Sequence, residues 1–311
     1  MKDPAEYRTL NRYAREVFGK KLYKIALPGG KTCPNRDGTC GTSGCAFCSA
    51  GGSGEFTPPP DISVSEQIEK AKYRIRDKLP KNDPCGFIAY FQSFTGTYPG
   101  KGKSVDELKN RWIEAAFVSD VEVISIATRP DCLGDDVMEA LAEVRKIKPV
   151  WIELGLQTMH DDIADKMGRG YKTECFARAV SKLNGCGIDV IVHIIIGLPG
   201  ETRKMILETA RYISEIGVSG VKIQLLHVLE GTRLAEDYRK NTFEVLTMGE
   251  YFRIVKDILK ILPETIVIHR ITGDGPKRLL IAPKWSMDKK NVINKLRKYL
   301  ENNDEGETDE L

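Results

Sequence analysis

Seven short stretches of near-continuous apolar character punctuate the chain: residues 22–27 (LYKIAL), 86–91 (GFIAYF), 121–127 (VEVISIA), 150–156 (VWIELGL), 189–196 (DVIVHIII), 221–228 (VKIQLLHV) and 265–270 (TIVIHR). Runs of this length, apolar on both faces and rich in β-branched residues, predict strands covered on both sides. Between them, apolar positions recur at three- and four-residue spacing in VSEQIEKAKYRIRDKL, SVDELKNRWIEAAFV, DDVMEALAEVRKI, TECFARAVSKLNGCG, ETRKMILETARYISEIG and MGEYFRIVKDILKIL. That spacing predicts amphipathic helices. Several begin on Ser, Thr or Asp and several stop at Gly or Pro, as helix caps do. Strand and helix in regular alternation require a parallel sheet with right-handed crossovers. Six or seven such units in about 250 residues suit a barrel, a partial barrel or an open doubly wound sheet, and periodicity does not choose among them. All of these place function at the carboxyl ends of the strands.

Composition narrows the class. The chain has 311 residues, 41% hydrophobic and 29% charged, which excludes collagen-like, low-complexity and wholly disordered proteins. No run of 18 apolar residues exists and the first residues, MKDPAEYRTLNRYAREVFGKKLYK, hold no apolar signal core. The expectation is a soluble, cytoplasmic protein without a membrane partner. Eight cysteines in a reducing compartment do not make a disulfide framework, so their spacing carries the information. The net charge of +3 conceals an asymmetry, because the last eleven residues hold six acids and no base. Residues 1–31 carry eight Lys or Arg against three acids, and residues 277–300 eight against one. Tyr7, Tyr13, Phe18 and Tyr23 are interleaved with the first basic stretch, the pattern of a surface that tracks phosphates and stacks bases, or simply of a solvated basic helix. Beyond the last strand a loop and a basic helix are predicted, then an acidic disordered tail.

Four of the cysteines, Cys33, Cys40, Cys45 and Cys48, fall within sixteen residues of a Gly-, Pro-, Asn- and Asp-rich loop after the first strand. A loop of this kind can wrap thiolates round a metal. Three readings compete on spacing: a four-cysteine structural zinc site, a redox-active Cys-x-x-Cys pair, and an iron-sulfur cluster on three thiolates with one iron left open. The string CPNRDGTCGTSGCAFC followed by SAGGSGEF resembles the cluster loop of the radical S-adenosylmethionine (SAM) superfamily. More narrowly it resembles the YhcC/YtqA-type family, relatives of the Elongator catalytic subunit. The likeness extends from NRYAREVFGKKLYKIAL through GLPGET to HRITGDGP.

The resemblance implies an α/β fold, a partial (β/α)6 TIM-like barrel with N- and C-terminal extensions. Its parts are a basic segment over residues 1–20, a core over 21–275, a basic extension over 276–300 and the acidic tail over 301–311. It also implies a [4Fe-4S] cluster on Cys33, Cys45 and Cys48, with Cys40 a bystander because a fourth protein ligand would close the site that SAM needs. The reduced cluster then cleaves SAM, and a 5′-deoxyadenosyl radical takes hydrogen from the substrate. Because the cofactors carry that chemistry, the protein supplies ligation, orientation and exclusion of water. Polar groups at strand ends are the expected SAM contacts: Gln92 and Thr95 after the second strand, Thr128 and Arg129 after the third, Glu153 and Gln157 on the fourth, Arg169 beyond it gripping the carboxylate, and Gly197 in the turn near the adenine. His193, His227 and His269 read first as satisfied core groups, and Cys85, Cys132, Cys175 and Cys186 as structural or incidental.

In function the resemblance points to tRNA, and to conversion of a wobble 5-carboxymethylaminomethyl-uridine to 5-aminomethyl-uridine. It implies a low-potential electron donor such as flavodoxin or ferredoxin as a partner. Only about forty residues follow the core, so acetyltransferase chemistry is not expected. A radical enzyme for a small metabolite or peptide, and a non-catalytic zinc module binding nucleic acid, are the rival readings.

Overall fold

In the computed structural model, which describes residues 7–80, 82–273 and 275–301, the predicted alternation is realised unit by unit. Strands β1 (Lys21–Leu27), β2 (Cys85–Phe91), β3 (Val121–Thr128), β4 (Val150–Gln157), β5 (Asp189–Ile196) and β6 (Gly220–Leu225) lie side by side in chain order, all parallel. A two-residue β7 (Val228–Leu229) leaves the sheet, β8 (Val267–Arg270) extends it beyond β6, and β9 (Leu280–Ala282) pairs with β7 in the opposite direction. Helix α1 (Leu10–Phe18) precedes the sheet. The crossovers are α2 (Val64–Ile75), α3 (Asp106–Ala116), α4 (Asp135–Arg145), α5 (Asp161–Lys166) with α6 (Thr173–Gly185), α7 (Arg203–Glu215), and α8 (Arg233–Arg239) with α9 (Met248–Ile261). Helix α10 (Lys289–Glu301) ends the described chain. Local chemistry sets these boundaries: Ser63 with Glu66, and Thr247 with Glu250, each close a capping box at the start of α2 and α9.

The sheet is curled. Lys24 Nζ on β1 lies 2.5 Å from Glu153 Oε1 on β4, although three strand spacings in a flat sheet would hold the two backbones about 14 Å apart. The convex face meets the helices in the main core, where Ile152, Leu154, Val190 and Val192 of the sheet pack with Phe176, Leu183 and Ile213. The concave interior is layered. Leu22, Ile88, Val123, Trp151 and Ile191, from the amino-terminal halves of β1 to β5, form an apolar floor with Ala14 of α1. Helix α1 closes that end, tied to the far edge by the Ile268 amide donating to the Arg8 carbonyl at 2.8 Å.

This corrects the expected base-stacking role of the N-terminal aromatics. Tyr13 packs on Trp151 at 6.0 Å between ring centroids and on Phe18 at 6.4 Å. Tyr7 packs on the main core, and Tyr23 donates its hydroxyl to the Lys78 carbonyl at 3.0 Å. Residues of the C-terminal extension are joined to the body through β9 and through Val292 and Leu296, which α10 buries in the main core. The acidic tail lies outside the described residues except for Glu301, the last residue of α10. Among the described residues no helix is long and apolar enough to cross a membrane.

Candidate active site at the carboxyl ends of the strands

The cysteine loop is anchored before it begins. Arg111 of α3 donates to the carbonyls of Pro28 and Gly29 at 2.5 and 2.8 Å, and Gly30 comes so close to the next loop that a Cβ would lie 2.3 Å from the Thr95 carbonyl. Turns then shape the chain: Arg36 N–H donates to the Cys33 carbonyl at 2.8 Å and Cys48 N–H to that of Cys45 at 3.0 Å. Asn35 donates to Cys45 Sγ at 3.3 Å, and the Ala46 amide docks on the Met167 carbonyl at 2.8 Å. Arg36 reaches back to the carbonyls of Cys48 and Ser49 at 3.2 and 2.6 Å. The result places Cys33, Cys45 and Cys48 on the wall of one cavity of about 820 Å³, within the size range of small-ligand sites. Cys40 is exposed and absent from that wall.

The donor set fits a cluster. Burial pushes the Cys45 thiol up to about 11, with Cys48 and Cys33 adding repulsion, and also raises Cys48. Thiols so desolvated ionise only against strong positive charge, which ligated iron supplies. Among the described residues no three His, Cys, Asp or Glu side chains are gathered closely enough to hold a single metal ion.

Below the cysteines, the inward positions of the strands form a charged layer. Glu153 is fully buried. Its Oε1 accepts from Lys24 at 2.5 Å and from Ser125 at 2.7 Å; its Oε2 accepts from Lys222 and from His193 Nε2, the latter at 2.7 Å. Those donors overcome burial and hold the Glu153 carboxyl well below the usual carboxylate range. Burial, with Lys222 nearby, pushes His193 down to about 4, so the ring is neutral. Tyr90 stands among them, with Lys24 Nζ 4.6 Å and Lys222 Nζ 4.1 Å from its ring centroid.

The residues expected to contact SAM are placed unequally. Gln92 and Thr128 line the cavity; Gln92 donates to the Ser53 carbonyl at 2.9 Å, and Thr128 shares a 2.6 Å hydrogen bond with Thr97. Gln157 also lines it, from a left-handed backbone conformation with φ 61°, a strain of the kind stored at functional sites. Glu153 spends both oxygens on protein donors. Arg169 reaches the wall, but its guanidinium is committed to the carbonyls of Tyr171, Leu156 and Thr158 and to Asp161 and Thr173. The two-point grip expected of Arg169 is therefore spent inside the chain, where it braces the β4–α5 connection. Gly197, at φ 90°, lines a separate cleft with Glu201 and Leu246. Sequence reasoning missed Lys24, Lys222 and Tyr90; the available signal was a lysine inside LYKIAL and another inside VKIQLL, each interrupting a buried strand.

Comparison with known proteins agrees with this geometry. The Radical SAM superfamily profile matches residues 31–213 and the Radical_SAM C-terminal domain profile residues 218–302. YtqA of Bacillus subtilis (strain 168) is 44% identical over 296 residues, 95% of this chain and 90% of that protein. A tRNA uridine(34) acetyltransferase of Methanocaldococcus jannaschii is 27% identical over 181 residues, 57% of this chain and 32% of that protein. Among solved structures, the archaeal Methanocaldococcus infernus Elp3 superposes with a TM-score of 0.63 at 18% identity, covering 91% of this chain and 63% of that one. The likeness to the YhcC/YtqA type read from the cysteine loop is thereby borne out. Sulfur arrangement, half-barrel and sequence converge, and the chain belongs to the radical SAM superfamily, enzymes that work with a [4Fe-4S] cluster and S-adenosylmethionine.

Proposed function

We propose that this enzyme modifies tRNA at the wobble uridine, converting the 5-carboxymethylaminomethyl form to the 5-aminomethyl form. The observation that carries the RNA reading is a set of exposed basic and aromatic side chains on and next to the cavity wall. Phe56, 50% exposed, and exposed Arg74 and Lys78 line the cavity; Tyr73, 65% exposed with Arg76 3.8 Å over its ring, adjoins Arg74 in the chain. Aromatic faces interleaved with cations beside a reaction cavity suit an unstacked base and its flanking phosphates. The name of the tRNA uridine(34) relative supports the choice of position.

When bound, the cluster and SAM supply one-electron cleavage of a carbon–sulfur bond and so abstraction of a hydrogen atom. Cys33, Cys45 and Cys48 hold the cluster, with Asn35 and Arg36 setting the loop. The apolar floor of Trp151 and its neighbours closes the inner end of the barrel against water. A low-potential donor such as flavodoxin or ferredoxin is the proposed electron source. Mass spectrometry of tRNA nucleosides from cells lacking the protein tests the reading. The 5-carboxymethylaminomethyl nucleoside accumulates and the 5-aminomethyl one disappears; an unchanged nucleoside profile rejects it.

A further inference from the structure

The charged layer holds more positive than negative charge. Among the described residues that line the cavity, Lys24, Arg36, Arg74, Lys78, Arg129, Arg169, Lys222 and Arg270 stand against Glu55 and Glu153. At the rim, Arg129 pairs with Asp131 and Arg169 with Asp161. Deeper, Glu153 is the one carboxylate on that wall facing both Lys24 and Lys222, whose side chains are 17% and 3% exposed. Each ammonium has three donors and spends one on Glu153. Tyr90 presses its ring face against both, and both lysines line the cavity. His193 adds no charge and no competing acceptor, because its Nε2 faces Glu153 and its Nδ1 faces Gln224 at 3.4 Å.

We propose that Lys24 and Lys222, positioned by Glu153 and Tyr90, form a subsite for a carboxylate at the end of the substituent on the reacting base. The inference rests on the wobble-uridine reading and deepens it, since it names the side chains that select an acidic substituent. Two ammonium groups sharing one buried carboxylate leave a charge uncompensated in a desolvated site, and an arriving carboxylate compensates it. Burial first, then the neighbouring Lys24 and Arg270, push the Lys222 ammonium well below its usual range against the pull of Glu153, and a second carboxylate beside it would oppose that shift. Glu153, with both oxygens occupied, acts as a positioning residue.

SAM also carries a carboxylate, so the test separates the two sources. Anaerobically reconstituted holoenzyme, saturated with SAM, is titrated with 5-carboxymethylaminomethyl-uridine and with its carboxamide, which has the same shape without the charge. The acid is expected to bind at least tenfold more tightly, and Lys24→Met and Lys222→Met each to bring the pair within twofold, with Lys222→Arg restoring part of the preference. Equal or absent binding of the pair to the unaltered protein overturns the subsite, and that comparison stands even where Lys222→Met does not fold. A preference that survives both substitutions, or a loss confined to SAM affinity, overturns it as well. An anticodon stem-loop bearing the same nucleoside judges the RNA reading separately: acid-selective nucleoside binding with no gain from the stem-loop removes the tRNA partner and leaves the subsite standing.

Discussion

Cys40 differs from Cys33, Cys45 and Cys48 in one physical respect, its position on the solvent side of the loop. Its amide bonds to the Pro34 carbonyl at 2.7 Å, so the backbone there holds its turn whatever the side chain. Cys40→Ala therefore retains iron and acid-labile sulfide close to the unaltered protein, whereas Ala at any of the other three removes the cluster absorbance and SAM cleavage together. Loss of iron from Cys40→Ala would show that the ligand set has been misread. Glu201 makes a second prediction at this scale. Its Oε2 is buried without a hydrogen-bond partner among the described residues, and burial pushes the carboxyl from 4.5 up to about 7. Between those values the folded chain holds a proton that the unfolded chain has released, so this residue lowers stability as pH rises through the window. Glu201→Gln should thus raise Tm at pH 8, by up to about 3 kcal/mol in free energy, and change it little at pH 4.5. Equal shifts at the two pH values would sink the account.

At the scale of elements, α1 is the piece whose role depends most on where it lands. Its sequence is basic and aromatic, yet Tyr13 and Phe18 turn inward and seal the amino-terminal end of the barrel on Trp151. Trp151 is 2% exposed and holds the center of that floor. Trp151→Ala is expected to cost roughly 3–5 kcal/mol, read as a shift of the denaturant midpoint with an unchanged slope. A loss below about 1 kcal/mol, typical of surface sites, would mean that the floor is not packed as described. The connection from β4 to α5 follows the same logic: Arg169, with five donors, takes five protein acceptors, and an arginine so satisfied organises a loop before it binds anything else.

For the whole molecule, the placement of charge decides how RNA would approach. Helix α1 sits at the closed end of the barrel, while exposed Arg74 and Lys78 line the cavity. Arg74→Glu with Lys78→Glu should weaken tRNA binding at least tenfold and flatten its salt dependence, whereas Arg12→Glu with Arg15→Glu should stay within twofold. Six or more phosphate contacts predict about a thousandfold loss of affinity between 50 and 200 mM salt, measurable by filter binding. Salt-indifferent binding, or equal sensitivity of the two pairs, argues against RNA entering by this face.

The alternation of buried strands and amphipathic helices determined a parallel α/β architecture, because apolar period is a local property that survives without knowledge of neighbours. The cysteine spacing marked the loop as a metal or redox site, and the resemblance of its sixteen-residue string to a radical SAM cluster loop singled out Cys33, Cys45 and Cys48 as the proposed trio. Gln92, Thr128 and Gln157 were legible as strand-end polar groups. What only the tertiary structure decided is which side chains meet across the barrel. Lys24, Tyr90, Glu153 and Lys222 are separated by up to 198 positions of chain and are brought together by the curl of the sheet alone. Whether Arg169 faces a ligand or its own loop, and whether Tyr13 stacks a base or plugs the barrel, depends on packing partners far away in sequence, and no local pattern encodes those.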